Sequence, residues 1–208
     1  MNRRVQSIAL ASFAIPLALF AARTLYLLDG LTPEIPKKPV QGYSSEETSF
    51  QYRDGRIAVT ATPLFAADLD GYYAQHGLIN PFAHFPAEAN YVFFKIRIEN
   101  LQKTENVEFS PGGVMFGNSN ALDDIAVYQL FYKEAQGETL LAAAGKTLFL
   151  RNLSLPAGQW IERLMVFQYD DPYKTKKITL ILSNILMGRE GLDVEFTFLT
   201  HFRKEKVA

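Results

Sequence analysis

Leu192-Asp193-Val194-Glu195-Phe196-Thr197-Phe198 sets apolar side chains on one side of an extended chain and polar ones on the other. Successive side chains of a strand point to opposite faces, so this is the pattern of a strand with one buried face. Slipping its pairing by one residue would carry Asp193 and Glu195 into the core, which fixes its register. The alternation recurs in Ile57, Val59 and Ala61 against Arg56, Ala58 and Thr60, and in Val92, Phe94, Ile96 and Ile98 against Phe93, Lys95, Arg97 and Glu99. Stretches rich in β-branched and aromatic residues follow at 107–109, 114–116, 148–155, 160–169 and 178–182. Turn chemistry separates them: Pro111-Gly112-Gly113, Gly117-Asn118, Pro156-Ala157-Gly158, Asp171-Pro172 and Gly188-Arg189-Glu190-Gly191. About eight strands with frequent turns and one polar face predict a mainly β domain, an antiparallel sandwich.

Two segments depart from the alternation. Leu64 to Gln75 follows Thr62-Pro63, with Asp68 and Asp70 near its start, and is predicted as a short helix. Ala121 to Ala135 carries Leu122, Ile125, Gln129 and Tyr132 at helical spacing, with Asn120 as cap and Asp123 and Asp124 in the first turn. A helix is the expectation there, although Ile125 to Tyr132 also satisfies a strand.

Working back to the N-terminus, Ile8 to Ala22 is an unbroken uncharged apolar run between Arg3-Arg4 and Arg23. A helix over it reaches about 22 Å, against about 30 Å for a bilayer core. Extended to Leu28, with Arg23 snorkelling and Tyr26 at the interface, it reaches about 31 Å and spans. The best-placed cleavage site, Phe20-Ala21-Ala22, has a bulky residue where a small one is required, so an uncleaved signal anchor is expected over a removed signal peptide. Arg3 and Arg4 then hold the N-terminus in the cytoplasm, with the remainder periplasmic or extracellular on a single-pass inner-membrane protein. Pro33, Pro36, Pro39, Gly30 and Gly42 mark 29–48 as a linker holding the domain off the membrane, the alternative being an ordered arm along the domain. The expected organisation is therefore 1–28 signal anchor or signal peptide, 29–48 linker and 49–208 β domain.

The chain has no cysteine, which excludes a lipidated cysteine and any disulfide framework. Its 21 basic side chains face 22 acidic ones, and Arg3, Arg4 and Arg23 all precede the first acid, Asp29. A mildly acidic domain without a basic stripe is not a nucleic-acid binder.

The order of Tyr91 to Asn100, Asn106-Val107-Glu108-Phe109, and Leu153-Ser154-Leu155-Pro156-Ala157-Gly158 feeding Trp160 to Phe167 resembles bacterial membrane-anchored immunoglobulin-like domains of unknown function. In those domains a strand ending in Glu-Asn precedes a short strand, and a Leu-x-Leu-Pro-x-Gly turn leads into an aromatic-containing strand. The resemblance covers about residues 50 to 202 and implies an immunoglobulin-like β-sandwich. Unlike antibody-type domains, this chain lacks the cysteine pair.

Catalytic motifs fail on inspection. Ala144-Gly145-Lys146-Thr147 resembles the end of a phosphate loop, but Leu140 stands where its first glycine belongs, and a turn into a strand is expected. His76, His84 and His201 have no metal-motif spacing, although His76 and His84 would meet near Asp68 or Asp70 if the intervening loop folds back. Asp68-Leu69-Asp70-Gly71 opens like a calcium loop whose later ligands are missing. Gly117-Asn118-Ser119-Asn120-Ala121 misses a nucleophile elbow, and Asp123-Asp124 and Asp170-Asp171 have plain loop or cap readings. No cofactor and no metal is expected.

The densest recognition signal is aromatic: Tyr72 and Tyr73, then Phe82 and Phe85 within Asn80-Pro81-Phe82-Ala83-His84-Phe85-Pro86. These four are the candidate binding residues, with the alternative that Phe82 and Phe85 plug the open end of the sandwich. Trp160, the single tryptophan, is expected in the core. The expected function is a non-catalytic, membrane-anchored interaction or accessory domain of a cell-envelope assembly, with the membrane through residues 8–28 and an envelope protein as partners. A carbohydrate-binding module using the aromatic loop and an envelope hydrolase using the scattered acids and histidines are the alternatives.

Overall fold

The computed structural model describes residues 23–35, 40–86, 89–169 and 174–207. In chain order these form β1 (Arg23–Pro33), β2 (Tyr43–Glu46), β3 (Ser49–Arg53), β4 (Ile57–Leu64), α1 (Ala66–Gln75), β5 (Tyr91–Asn100), β6 (Val107–Phe109) and a 3-10 turn (Pro111–Gly113). There follow β7 (Val114–Phe116), β8 (Ser119–Asn120), α2 (Asp124–Phe131), α3 (Gly137–Thr147), β9 (Leu153–Leu155), β10 (Trp160–Gln168), β11 (Lys177–Met187) and β12 (Glu190–Val207). One sheet has the order β1-β12-β11-β6-β9, with β7 also on β11 and β8 on β7; the other has the order β10-β5-β4-β3-β2. The pairings between named strands are antiparallel.

The alternation that predicted β12 is realised: Val194, Phe196 and Phe198 are fully buried while Asp193 and Glu195 are exposed. These rings meet the opposite sheet, with Phe196 5.3 Å from Phe50 and Phe198 5.4 Å from Phe94, centroid to centroid. Such aromatic contacts between two inner faces build the principal core.

A second core corrects the expectation of one polar face. Phe93, Leu164 and Val166, on the outer side of β5 and β10, pack against Leu69 and Tyr73 of α1, Val127 and Phe131 of α2, and Ala144 of α3. Val92-Phe93-Phe94 and Leu164-Met165-Val166-Phe167 are continuous apolar runs, the mark of strands buried on both faces. Phe93 therefore belongs to a covered surface and not to a solvated one.

α1 and α2 start where acids cap them. Asp68 accepts the Phe65 N–H at 3.0 Å ahead of α1. The expected helix over 121–135 is realised as α2, but its cap is Asp123, which accepts the Ala126 N–H at 2.7 Å, because Asn120 is held in β8. Ala144-Gly145-Lys146-Thr147 is not a turn into a strand; it is the last turn of α3. The close α2–α3 connection requires Gly137, since a Cβ there would sit 2.4 Å from the Phe131 carbonyl oxygen.

The N-terminal boundaries also move. Residues 23–28, expected as the end of a membrane helix, lie in β1 and pair with β12 from Arg23↔Val207 to Leu28↔Phe202, with Leu27 and Leu28 buried. Within the expected linker, Gly30 to Pro33 continue β1 and Tyr43–Glu46 is β2, so the ordered-arm alternative describes these parts. The run Ile8–Ala22 lies outside the described residues. Among the described residues no helix is long and apolar enough to cross a membrane.

Two polar residues hold corners of this frame. Asn100, 1% exposed, donates through Nδ2 to the Glu105 and Leu155 carbonyls at 2.8 and 2.9 Å and accepts the Gln102 N–H at 3.0 Å. It thus ties the end of β5 to β9 of the other sheet, and Gly158 N–H returns a bond to its carbonyl at 3.0 Å. The strand-end asparagine and the Leu-Pro-x-Gly turn singled out in the sequence are one hydrogen-bonded unit. Asn100→Ala orphans these partners and is expected to cost about 2–3 kcal/mol in urea unfolding.

In the β3–β4 hairpin, Asp54 accepts the N–H groups of Arg56 and Ile57 at 2.7 and 2.9 Å and the Tyr52 hydroxyl at 3.2 Å. Burial raises its carboxyl, but these three donors and the Arg56 guanidinium outweigh that and hold it below the ordinary value of 3.8. A depressed folded pKa confers stability above the unfolded pKa that is lost as pH falls through the folded one. Asp54→Asn is therefore expected to be less stable than wild type at neutral pH, with the gap closing below the ordinary aspartate range, read by urea melts across that pH window.

Candidate functional site

α2, capped by Asp123, docks with Val127 and Phe131, four residues apart, in the second core. The opposite stripe then carries Ile125, Tyr128 and Tyr132, which are 64%, 55% and 48% exposed. The Tyr128 and Tyr132 rings stack at 5.4 Å with planes 15° apart, and the Lys133 ammonium lies 5.2 Å from the Tyr132 ring centre. Residues spaced by three and four on one helix form a continuous surface, here apolar in its body with phenol hydroxyls as polar handles. In the sequence, Leu122, Ile125, Gln129 and Tyr132 share helical spacing. α2 has apolar residues on both sides, and periodicity alone does not say which side meets the sheet.

The four aromatic residues singled out by sequence lie together, but mostly inside. Tyr73 is fully buried and its hydroxyl is 3.1 Å from the Thr147 Oγ1 in α3. Tyr72 is buried edge-on against Tyr73 at 5.4 Å, and burial pushes its hydroxyl up to about 12 and that of Tyr73 further. Phe82 is buried at the hub of a ring cluster, 4.9 Å from Phe93, 5.5 Å from Phe131 and 5.7 Å from Phe85. Asn80 folds the loop to deliver it, accepting the Phe82 N–H at 2.9 Å and donating to Asp70 at 2.8 Å. Phe85 is half-buried and stacks on Phe131 at 5.7 Å. Phe82 and Phe85 thus close the helix-covered face of the sheet and not the open end of the sandwich. The faces of Tyr72, Tyr73 and Phe82 are occupied by protein and leave no open stacking platform.

Beside this cluster is a cavity of about 160 Å³ walled by Leu27, Leu28, Phe65, Leu69 and Phe85, with Asp29 and Arg203 also lining it 3.9 Å apart. It is smaller than the roughly 300 Å³ at which drug-sized ligand pockets begin. Trp160, expected in the core, is over half exposed, its ring covered by the Arg97 guanidinium at 4.2 Å.

The polar residues considered for chemistry are distributed among structural tasks. His76 Nδ1 donates to the Tyr72 carbonyl at 2.8 Å, His201 bonds the Thr32 hydroxyl at 3.1 Å, and His84 is exposed. Asp68 and Asp123 cap helices, Asp70 holds Asn80, and Ser119 Oγ donates to the Gln168 carbonyl at 2.7 Å. Asp170 and Asp171 lie outside the described residues. Among the described residues no three His, Cys, Asp or Glu side chains stand close enough to hold a metal ion. No family model, curated protein or solved structure matches the chain.

The contrast between the two aromatic groups is measurable. Phe82→Ala empties the ring hub and is expected to cost about 3–5 kcal/mol in urea unfolding. Tyr128→Ala and Tyr132→Ala, removing exposed rings, are expected to stay within about 0.5 kcal/mol of wild type.

Proposed function

We propose that this chain is a non-catalytic, membrane-anchored module, displayed on the outer side of an inner membrane with its N-terminus cytoplasmic, that docks an envelope protein partner through α2. The carrying observation is the Ile125–Tyr128–Tyr132 stripe, three large side chains left in water on a helix whose other face is locked in a core. Tyrosine is enriched in protein interfaces and among their energetic hot spots, and a rigid helix presents it at low entropic cost. Membrane anchorage is supported by the uncharged run Ile8–Ala22 behind Arg3 and Arg4. An immunoglobulin-like relationship is supported by two antiparallel sheets sharing one aromatic core. The burial of Tyr72, Tyr73 and Phe82 favours this reading over a glycan platform.

Affinity capture of the full chain from a detergent extract tests it. A companion protein is expected in stoichiometric amount, and the Tyr128→Ala/Tyr132→Ala double variant is expected to weaken its binding about tenfold or more, the scale of hot-spot loss. A monodisperse monomer with no recurrent companion, or a companion held equally well by the variant, sinks the proposal.

A further inference from the structure

β12 outruns its partner β11. Its pairing with β11 ends at Leu199↔Lys177, while its pairing with β1 continues to Val207↔Arg23, leaving a two-stranded ribbon at one end of the sheet. On this ribbon Tyr26 faces Lys204 in register, and its ring carries two cations: the Lys174 ammonium at 3.1 Å from the ring centre and the Lys204 ammonium at 5.7 Å. Two like charges gathered on one ring repel, and a cation–π contact at an exposed site offsets only about 0.5–1 kcal/mol of that. Along β1 the described carboxylate next to this site, Asp29, stands 3.9 Å from Arg203. Among the described residues Lys174 and Lys204 have no carboxylate partner. Among the described residues this site gathers two cations and no anion.

Its place along the chain says which anion. The described part of β1 starts at Arg23, which in the sequence follows the uncharged run Ile8–Ala22 directly. Tyr26 is three residues further, about 10 Å along a strand at about 3.3 Å per residue. A bilayer's polar layer is roughly 5–8 Å deep on each side, and electrostatic attraction extends about a further 8 Å at physiological salt. If the run enters a membrane, Tyr26, Lys174 and Lys204 arrive at headgroup level, where tyrosine and lysine side chains are at home.

Resting on the membrane-anchored reading above, we infer that the β1–β12 ribbon end is a docking surface for the headgroups of anionic phospholipids, seating the domain ribbon-down on the bilayer. Each lysine at an anionic surface favours the seated state about fivefold, the pair about 30-fold. The linker expected to hold the domain away is, in its first part, the strand that brings it down.

The test uses the full chain in vesicles of phosphatidylcholine, alone or with about one third phosphatidylglycerol, and reads acylation of individual lysines by a water-soluble reagent. Lys174 and Lys204 are expected to react about fivefold or more slowly on the anionic vesicles, with the difference abolished in about 0.5 M salt. Lys133 and Lys146, on the helical layer, should not change. Lys176, exposed just before β11, should be protected on the anionic vesicles in the wild type and react equally on both vesicles in Lys174→Gln/Lys204→Gln. Equal rates on both vesicles while the chain co-floats with them overturn the inference, as does equal protection by inorganic phosphate in micelles, which would mean a simple anion site. Failure to co-float with either vesicle removes the anchor reading and this inference together. Co-flotation with anionic vesicles alone removes the anchor and leaves the ribbon contact standing.

Discussion

β5 and β10 have apolar side chains on both faces, and much of the molecule follows from covering two surfaces at once. Phe94, Ile96, Met165 and Phe167 face the partner sheet, while Phe93, Leu164 and Val166 face away from it. Leaving the second set wet would forfeit about 1.5–3 kcal/mol for each large side chain. Three helices supply the cover, and backbone bonds fasten them: Leu122 N–H to the Val166 carbonyl at 2.8 Å, and Phe149 N–H to the Leu164 carbonyl at 2.9 Å. These same bonds occupy the free edge of β10, so the layer that covers the face also blunts a strand edge that would otherwise invite pairing.

That layer is where recognition can be built. A helix resting on a sheet locked from both sides keeps its outer residues in fixed geometry, and Ile125, Tyr128 and Tyr132 gain pre-organisation from Val127 and Phe131 beneath them. Phe82 and Phe85 serve the opposite purpose: they fill the space between α2 and β5. Surface and support are thus made from the same residue types, distinguished by a rotation of one helix.

Polar groups follow a similar economy. Asp54, Asp68, Asp70 and Asp123 each accept from backbone or side-chain donors at a chain reversal or a helix, and Asn100 both donates and accepts at the end of β5. At the β1–β12 ribbon, Lys174 and Lys204 crowd the Tyr26 ring with no carboxylate partner among the described residues.

Local sequence determined the strands with clean alternation, such as Ile57–Leu64 and 192–198, because period-two patterning and one buried face leave a single register. It also determined the turns at Gly158 and Gly188, where the backbone takes positive φ. It misjudged whatever depended on a distant partner. Arg23 to Leu28 reads as the tail of an apolar helix, and Asp29 to Pro33 as the start of a linker, until β12, some 170 residues away, supplies their hydrogen bonds. Phe93 reads as a lapse in alternation until the helical layer, drawn from segments on both sides of it in the chain, covers it. Whether Ile125 or Val127 faces water was decided by the docking of α2 on β5 and β10, because a helix apolar on both sides takes its orientation from the surface it meets.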